Sequence, residues 1–310
     1  MNKAYLFNNY ISIARGFLAE KNDLKALKFF KMAHKCEEGK EDIELILDIA
    51  LLYDKIGNPV LSKKMYEKVL SINDKEATAY YGIGVLFDES ENYLEAIEYY
   101  KKAIAIDKNY DKAYFFLANC YDEIGEKEKA IECYSKVLSI NPNDLWANAN
   151  LGCIYDELEE ITLAIKYMEK ALQIDHKHFR ILFNMGVFMG KIKKEEEAEE
   201  FYKKSINENP KFPYSYLNYS ILYREKNKFR RAIEIISEGI KENPNQGFLY
   251  YNRACFYVNI KELHKAFEDL NKAIDLDYIF EEYMKEDEEL NPLRGLEEYI
   301  ELYGNDDKGN

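Results

Sequence analysis

The sequence is poor in the residues that interrupt regular structure. Its 310 residues include only 14 glycines and 6 prolines, and both shares are below the average of globular proteins. A β-sandwich or barrel needs a turn about every 8–12 residues, and such turns are rich in glycine, proline and asparagine. The scarcity therefore argues against an all-β protein and against a linker-rich or low-complexity chain.

Paired cysteines and long apolar segments are also missing. The five cysteines are widely spaced, none in a Cys-x-x-Cys motif: Cys36, Cys120, Cys133, Cys153 and Cys255. This odd number favours reduced thiols over a disulfide framework or a zinc site. The first ten residues mix asparagine with apolar residues, unlike a signal peptide, and no apolar run reaches the roughly 18 residues of a membrane span. We therefore expect a cytoplasmic protein with no membrane partner.

Positive charge is the third deficit. Lysine and arginine number 43 against 57 aspartates and glutamates, and the formal net charge is −14. Nucleic acids and anionic membranes bind basic surfaces. The composition therefore argues against both as partners, while 47% apolar residues are enough for a sizeable core.

What the sequence does contain is a period of 34 residues. Alanine recurs at this spacing, with Ser62 one period earlier, at Ala96, Ala130, Ala164, Ala198, Ala232 and Ala266. Large residues recur at Tyr53, Phe87, Tyr121, Tyr155, Met189, Tyr223 and Tyr257. Two further positions hold Gly84, Gly152 and Gly186, and Pro142, Pro210 and Pro244. Self-similarity at such a period is the signature of a repeat protein.

Each half of a unit has the apolar spacing of an amphipathic helix, as in Ala96, Ile97, Tyr100, Ala103 and Ile104. The small alanine lets two helix backbones approach, and the large aromatic residues fill the space between units. Because no unit can bury its own apolar face, stacking is obligatory. The period therefore predicts an all-α protein in which helix pairs form one solenoid domain, despite a length typical of two domains.

One unit shows the pattern most fully, with Tyr80, Gly84 and Phe87 in its first half and Ala96, Tyr100 and Ala103 in its second. This order resembles the tetratricopeptide repeat (TPR). The resemblance implies an α-α superhelix with a concave groove over residues 1–278, with units starting near Phe7, Ile43, Ala77, Asp111, Leu145, Phe179, Pro213 and Gly247. The first of the eight units departs most, because residues 36–42 add two residues to its step.

After Asp277 the period stops. We expect residues 279–303 to form a capping helix and a short terminal helix of the same domain, and residues 304–310 to be a disordered tail. The capping residues would be Ile279, Phe280, Tyr283 and Met284. Asn291-Pro292 is typical of a helix start, with an apolar side at Leu293, Leu296, Ile300 and Tyr303.

This C-terminal part resembles the ending of bacterial TPR arrays. It carries eleven acidic residues against three basic ones in 279–310. Because the N-terminal half of the groove would also be acidic, we expect this segment not to fold back into the groove.

In TPR proteins the first helix of each unit faces the groove. One inward position holds an amide series, in steps of 34 residues: Asn150, Asn184, Asn218 and Asn252. A primary amide donates to a peptide C=O and accepts from a peptide N–H, so the series would hold an extended backbone. It resembles the asparagine ladders of TPR proteins that bind extended cargo. Asparagine is also common at this position in TPR sequences generally. The alternative that these residues bind no ligand therefore stays open.

An acidic series runs through the N-terminal half, late in each first helix: Asp54, Asp88, Asp122 and Asp156. A carboxylate near a helix C-terminus is unfavourable by about 0.3–1 kcal/mol. Its recurrence therefore suggests a stripe that favours a basic segment of a partner. The alternative is a solvated acidic edge in a chain that is acidic overall.

Aromatic residues occupy two further inward positions. An aromatic series contains Tyr81, Phe115, Phe183 and Tyr251 together with Leu217, and the position near the helix start holds Trp146, Tyr214 and Phe248. Such residues serve as peptide anchors or pack between adjacent helices. Chaperone-binding TPR proteins bind the C-terminal carboxylate of a partner with lysines at the same repeat position as this aromatic series. In this chain that position holds no basic residue in any unit, from Ile11 in the first to Tyr251 in the last, so we expect no carboxylate clamp.

Signals of catalysis are missing. The sequence has no glycine-rich phosphate loop, no His-Glu-x-x-His motif and no nucleophile elbow. We interpret His176 and His178 as an exposed loop pair rather than a metal site. Since repeats occupy nearly the whole chain, we predict no enzyme, no cofactor and no metal.

The sequence therefore predicts an interaction scaffold whose groove binds an extended segment of a protein or peptide. This bound segment would contain basic residues. Two alternatives stay open. The protein would self-assemble as a homo-oligomer, or it would be the non-catalytic accessory subunit of a separately encoded enzyme.

Overall fold

The computed structural model describes residues 3–303, so the predicted disordered tail at 304–310 lies outside the described residues. Within that range the chain forms eighteen α-helices, two short 3₁₀ segments and no strand, which confirms the all-α prediction. None of the described helices combines the length and apolar character needed to cross a membrane.

The chain divides into two compact units between Asn148 and Ala149, and each unit is described by itself. The single-domain organisation stays a prediction. The first unit contains α1 Lys3–Ala19, α2 Asp23–His34, α3 Ile43–Lys55, α4 Pro59–Ile72, α5 Ala77–Asp88, α6 Tyr93–Ile106, α7 Asp111–Glu123 and α8 Lys127–Ile140. One 3₁₀ turn, Glu37–Gly39, lies in the longer junction that precedes α3.

The division falls within α9 Leu145–Glu157. The second unit continues with α10 Ile161–Ile174, α11 Phe179–Lys191, α12 Glu195–Glu208, α13 Pro213–Glu225, α14 Phe229–Glu242, α15 Gly247–Asn259, α16 Leu263–Leu276, α17 Ile279–Glu286 and α18 Glu297–Tyr303. Helices α1 to α16 follow the predicted pattern of paired helices. Within each unit the first helices of neighbouring pairs touch one another, as α3 and α5 or α11 and α13 do.

Within a pair, a small residue of the first helix faces a large residue of the second. At Gly84 an added Cβ would come within 2.6 Å of the Tyr100 ring, and at Gly186 within 2.7 Å of the Tyr202 ring. The small positions are all buried: Ala14, Ala50, Gly84, Ala118, Gly152, Gly186, Ser220 and Ala254. The large ones are buried too: Phe30, Tyr66, Tyr100, Tyr134, Met168, Tyr202, Ile236 and Leu270. The 34-residue period thus records a close helix–helix contact.

The turn between the two helices of each pair needs a left-handed residue. Gly57 and Gly125 fill this position in two pairs, and the other six hold Lys21, Glu91, Glu159, Lys193, Asn227 and Lys261, all with φ between 56° and 61°. After α5, the Glu91 N–H donates to the Asp88 C=O and the Asn92 N–H to the Phe87 C=O, which is a Schellman motif. The low glycine content therefore leaves six turns in a conformation that costs about 1–2 kcal/mol in a residue with a side chain.

Junctions between pairs are turned by side-chain hydrogen bonds, and a proline follows directly in only two of the five, after Asn141 and Asn209. Five residues in steps of 34 accept a hydrogen bond from the N–H two residues further on: Asn73, Asp107, Asn141, Asp175 and Asn209. Such Asx turns supply a turn without special backbone angles. This explains how the chain punctuates its helices with so few prolines.

The C-terminal segment differs in detail from the prediction. Residues 288–295 form a 3₁₀ segment with Pro292 inside it, and α18 begins only at Glu297. Because side chains three residues apart align in a 3₁₀ helix, Leu290 and Leu293 both point into the core and are buried. The predicted helix start at Asn291-Pro292 is therefore wrong.

Of the predicted apolar side, Leu293 is buried and Leu296 and Tyr303 pack against the C-terminal core. The prediction is wrong for Ile300, because it is 54% exposed while Tyr299 is buried. In the capping helix α17, Phe280 and Met284 are buried, whereas Ile279 and Tyr283 are exposed.

Two glycines of α11 test the helix–helix contact. Replacing Gly186 by alanine forces a Cβ against Tyr202 and should lower the free energy of unfolding by about 1–3 kcal/mol. Gly190→Ala is the matched control, because a Cβ there meets nothing within 4 Å, and it should raise stability by about 0.5–1 kcal/mol. Urea denaturation of the full chain measures both. Equal midpoints for the two variants would contradict the proposed constraint.

Candidate peptide-binding face

The candidate site lies on the first-helix faces, the surfaces that the first helices of neighbouring pairs present within each unit. All four members of the amide series are half-buried on these helices, but their surroundings differ. The Asn184 Nδ2 lies 3.5 Å from the Cys153 Sγ, and the Asn252 Nδ2 donates to the Phe248 C=O of its own helix at 2.8 Å. Asn150 has a partner as well.

Asn218 is different, because it lines a cavity of about 290 Å³ between α11 and α13. Val187, Gly190 and Lys191 contribute from α11, and Ile221 and Glu225 from α13. The cavity thus combines an amide with two aliphatic walls and charges of both signs. It has room for a side chain next to a hydrogen-bonding group.

Tyr202 forms the floor of this cavity and hydrogen-bonds Asn218. Burial raises the pKa of Tyr202 far above its ordinary value, so its hydroxyl stays protonated. Tyr202 therefore uses one hydrogen-bonding position of the Asn218 amide and orients it. Because an amide offers two donors and two acceptor lone pairs, further positions can bind a ligand.

The acidic series divides into two kinds of carboxylate. Asp54 and Asp88 are half-buried, and desolvation raises the pKa of both. The Tyr100 hydroxyl donates to Asp88 at 3.1 Å. Burial and the charges of Asp54 and Asp88 also raise the pKa of Glu89. Asp54 and Asp88 therefore each repel Glu89 in the first unit.

The other two members carry a lysine. The Asp122 carboxylate lies 2.6 Å from Lys127 Nζ, and in the second unit Asp156 lies 2.6 Å from Lys191 Nζ. Their charges are compensated within the chain. The acidic stripe is thus continuous in sequence but its unbalanced charge is concentrated at Asp54, Asp88 and Glu89.

The aromatic series packs mainly against other rings. Tyr81 lies 5.1 Å from the Tyr110 ring centroid and 6.0 Å from that of Phe116, and Phe183 lies 5.3 Å from Phe212. Phe115 stands edge-on to Tyr134 at 5.6 Å. Leu217 packs against the C-terminal core. Nearer the helix starts, Trp146 is 44% and Tyr214 50% exposed, and Tyr214 stacks on Phe248 at 5.3 Å.

The acidic C-terminal segment does lie against a first-helix face, which corrects the expectation that it stays away. Tyr251 donates to Asp287 at 2.7 Å and stacks on Phe280, while Arg224 pairs with Glu289 at 2.9 Å. The reason is local. Arg224 of α13 supplies a cation and Tyr251 of α15 a neutral donor here, whereas the acidic series ends at Asp156, in an earlier repeat. Tyr251 is therefore engaged by the chain itself.

Among the residues that line the Asn218 cavity, sequence reasoning singled out Asn218 alone and missed the others, including Gly190, Lys191 and Tyr202. A signal was present, because Gly190 stands one period after Asp156 and so interrupts the acidic series. In the described part of the chain, no group of three or more histidine, cysteine or acidic residues is placed to hold a metal. His178 stacks on Phe179 at 5.4 Å.

The raised pKa of Asp54 gives a test by pH. Its ionised form is disfavoured in the folded state, so the stability associated with this group is present below the unfolded pKa of 3.8 and is lost as pH rises through the folded pKa. Asp54→Asn should therefore raise the melting temperature at neutral pH, and this gain should vanish below about pH 3.8. Asp122→Asn, which breaks the pair with Lys127, should give no gain. A lower melting temperature for Asp54→Asn at neutral pH would contradict the desolvation of this carboxylate.

Comparison with solved structures places the fold among known repeat proteins, since 467 chains match it. A tetratricopeptide repeat protein from Parabacteroides merdae matches 78% of this chain and 97% of its own, with a TM-score of 0.62 and 21% identity. Pseudomonas aeruginosa PilF matches over 73% and 100%, with a TM-score of 0.61 and 18% identity. YrrB is described as a TPR protein with an unusual peptide-binding site. It matches 60% of this chain and 95% of its own, with a TM-score of 0.52 and 24% identity. These identities show a shared fold.

Family models agree. Tetratricopeptide repeat models match residues 47–111, 89–150, 147–178, 179–212, 201–234 and 249–279, and a Sel1 repeat model matches 13–34 and 232–255. No curated protein sequence matches the chain at a significant level. TPR proteins bind proteins or peptides, and their fold is typically non-catalytic. The matched segments, the paired helices and the 34-residue contacts agree, and the chain belongs to the tetratricopeptide repeat family.

Proposed function

We propose that this protein is an interaction scaffold whose first-helix faces bind an extended segment of a partner protein. The observation that carries the proposal is Asn218 lining a cavity between Val187 and Ile221. An amide there can pair with a peptide group while the aliphatic walls receive the neighbouring side chain.

Binding in the second unit would begin at the amides of α11 and α13. Asn184 and Asn218 stand at the same position of neighbouring repeats, whose first helices are in contact. A peptide main chain offers a donor and an acceptor at each residue, so two amides fix its path without reading its sequence. Specificity would then come from the side chains that enter the cavity.

In the first unit, charge would select the partner. Burial raises the pKa of Asp54, Asp88 and Glu89, so their ionised forms are disfavoured in the protein alone. A lysine or arginine of the partner would stabilise the ionised carboxylates and speed association. We therefore propose a protein partner with a basic segment rather than a nucleic acid.

The setting we propose is the cytoplasm. No disulfide joins the described cysteines, which fits a reducing compartment. The proposal assigns the protein no catalytic step, since it needs only binding.

The amide series supplies the first test of binding. A peptide selected on the full chain from a random display library would serve as the probe, and Asn184→Ala/Asn218→Ala should weaken it about tenfold or more, at about 1 kcal/mol per lost hydrogen bond. Asn252→Ala is the matched control, because that amide already donates to Phe248 on its own helix. Isothermal titration calorimetry measures all three, and unchanged affinity in the double variant would refute backbone capture.

Blocking the cavity supplies an independent arm of this test. A side chain at Gly190 has open space ahead of it and the residue lines the cavity, so Gly190→Phe should fill it and abolish binding without loss of stability. Retained binding in a variant with an unchanged melting temperature would place the peptide elsewhere.

Self-assembly is a second candidate, and exposed aliphatic residues of the first unit favour it. Leu24, Val60 and Leu94 occupy the same position of three consecutive second helices and are 67–77% exposed. If copies associate through this row, Val60→Glu/Leu94→Glu should lower the sedimentation coefficient at high concentration. A wild-type protein that sediments as a monomer at every concentration would exclude this candidate.

A further inference from the structure

A second cavity lies in the first unit, where α7 begins and the chain approaches α9. It has a volume of about 200 Å³. Its main lining residues are Asp111, Lys112, Phe115, Phe116, Asp144 and Trp146. Trp146 is the only tryptophan of the chain and is 44% exposed, so an indole ring stands at the edge of an open cavity.

The aromatic walls are held in place by packing. Phe115 and Phe116 meet edge to face at 5.5 Å with an interplanar angle of 81°. Phe115 also stands edge-on to Tyr134, and Phe116 to Tyr81. Because a cavity of about 150 Å³ suffices for a benzene ring, this one accommodates one planar group against walls that need not rearrange.

Two carboxylates border the cavity, and the backbone fixes both. The Ala147 N–H donates to Asp144 Oδ1 at 2.8 Å, and the Lys112 N–H donates to Asp111 Oδ1 at 2.7 Å. Each carboxylate has a second oxygen that the backbone bond does not use. Lys112 is the one cation among the lining residues, so the side chains carry more negative than positive charge.

Helix capping accounts for Asp144, a place in the first helical turn accounts for Asp111, and core packing accounts for the phenylalanines. The cavity brings these groups together with a tryptophan that is 44% exposed. Flat aromatic surfaces attract cations over their faces, and carboxylates bind guanidinium through paired hydrogen bonds. The combination therefore selects a group that is both planar and positively charged.

We propose that this cavity binds the side chain of an arginine in the partner segment. The guanidinium would stack on Trp146 while its fork of donors pairs with Asp144 and Asp111. Lysine lacks the planar group, and phenylalanine lacks the charge. This proposal rests on the proposed function, since it names one residue that the bound peptide must present, but it concerns residues that take no part in the amide series.

Trp146 is a built-in reporter for the test, because its fluorescence can be excited selectively. The probes are acetyl-Gly-Arg-Gly-amide and its citrulline counterpart, which has the same shape without the charge. The arginine peptide should change the fluorescence of the full chain in a saturable way, and the citrulline peptide should bind about tenfold more weakly or not at all.

Charge variants sharpen the result. Asp111→Asn/Asp144→Asn keeps an oxygen for both backbone bonds, and asparagine caps helices as well as aspartate does, yet it should weaken the arginine peptide about tenfold or more. Lys112→Gln removes the opposing charge and should strengthen binding severalfold. Asp74→Asn, an exposed loop residue outside the lining, is the control for net charge and should change nothing.

Three results would overturn the proposal: equal affinity for the citrulline peptide, tighter binding of acetyl-Gly-Phe-Gly-amide that ignores the carboxylate variants, or no saturable change with the arginine peptide. Calorimetry of Trp146→Leu checks the ring independently of fluorescence and should show binding lost. Asn184→Ala/Asn218→Ala should leave these tripeptides unaffected. Failure of the arginine proposal is therefore distinguishable from failure of the amide series.

Discussion

In each repeat the two helices approach closely only where the first carries a small residue and the second a large one. Gly84 against Tyr100 and Gly186 against Tyr202 show how little space is left. Because this contact occupies one side of the first helix, the other side is released from core packing. The positions of Asn184 and Asn218, each two residues before a small position, lie on that side, which is why they can vary in chemistry without changing the fold.

The turns show how much local strain the packing tolerates. Six of the eight turn positions use a left-handed residue with a side chain, although glycine would adopt this conformation without strain. Schellman hydrogen bonds satisfy the helix ends, and the buried contacts of the pair hold the turn closed. Glycine is thus reserved for places such as Gly186, where a side chain has no room, and the low glycine content reflects packing as well as punctuation.

The same repeat produces different surfaces in the two units. The first unit has carboxylates with raised pKa and an aromatic cavity bordered by Asp111 and Asp144. In the second unit, Asn218 lines a cavity of mixed charge, and an acidic segment covers Tyr251 through Asp287. Repetition therefore fixes where side chains point, while their identity decides what each face attracts.

The sequence by itself determined the helix pairs, their period and most helix starts, because these follow from local patterns that recur eight times. It also placed the amide and acidic series on the first helices. Only the tertiary structure decided which members can meet a ligand. Asn184 lies against Cys153, Asp156 is paired with Lys191, and Tyr251 is covered by a segment 36 residues later. The physical reason is that the orientation and charge balance of a side chain depend on neighbours brought near by folding, and a periodic sequence records positions but not those partners.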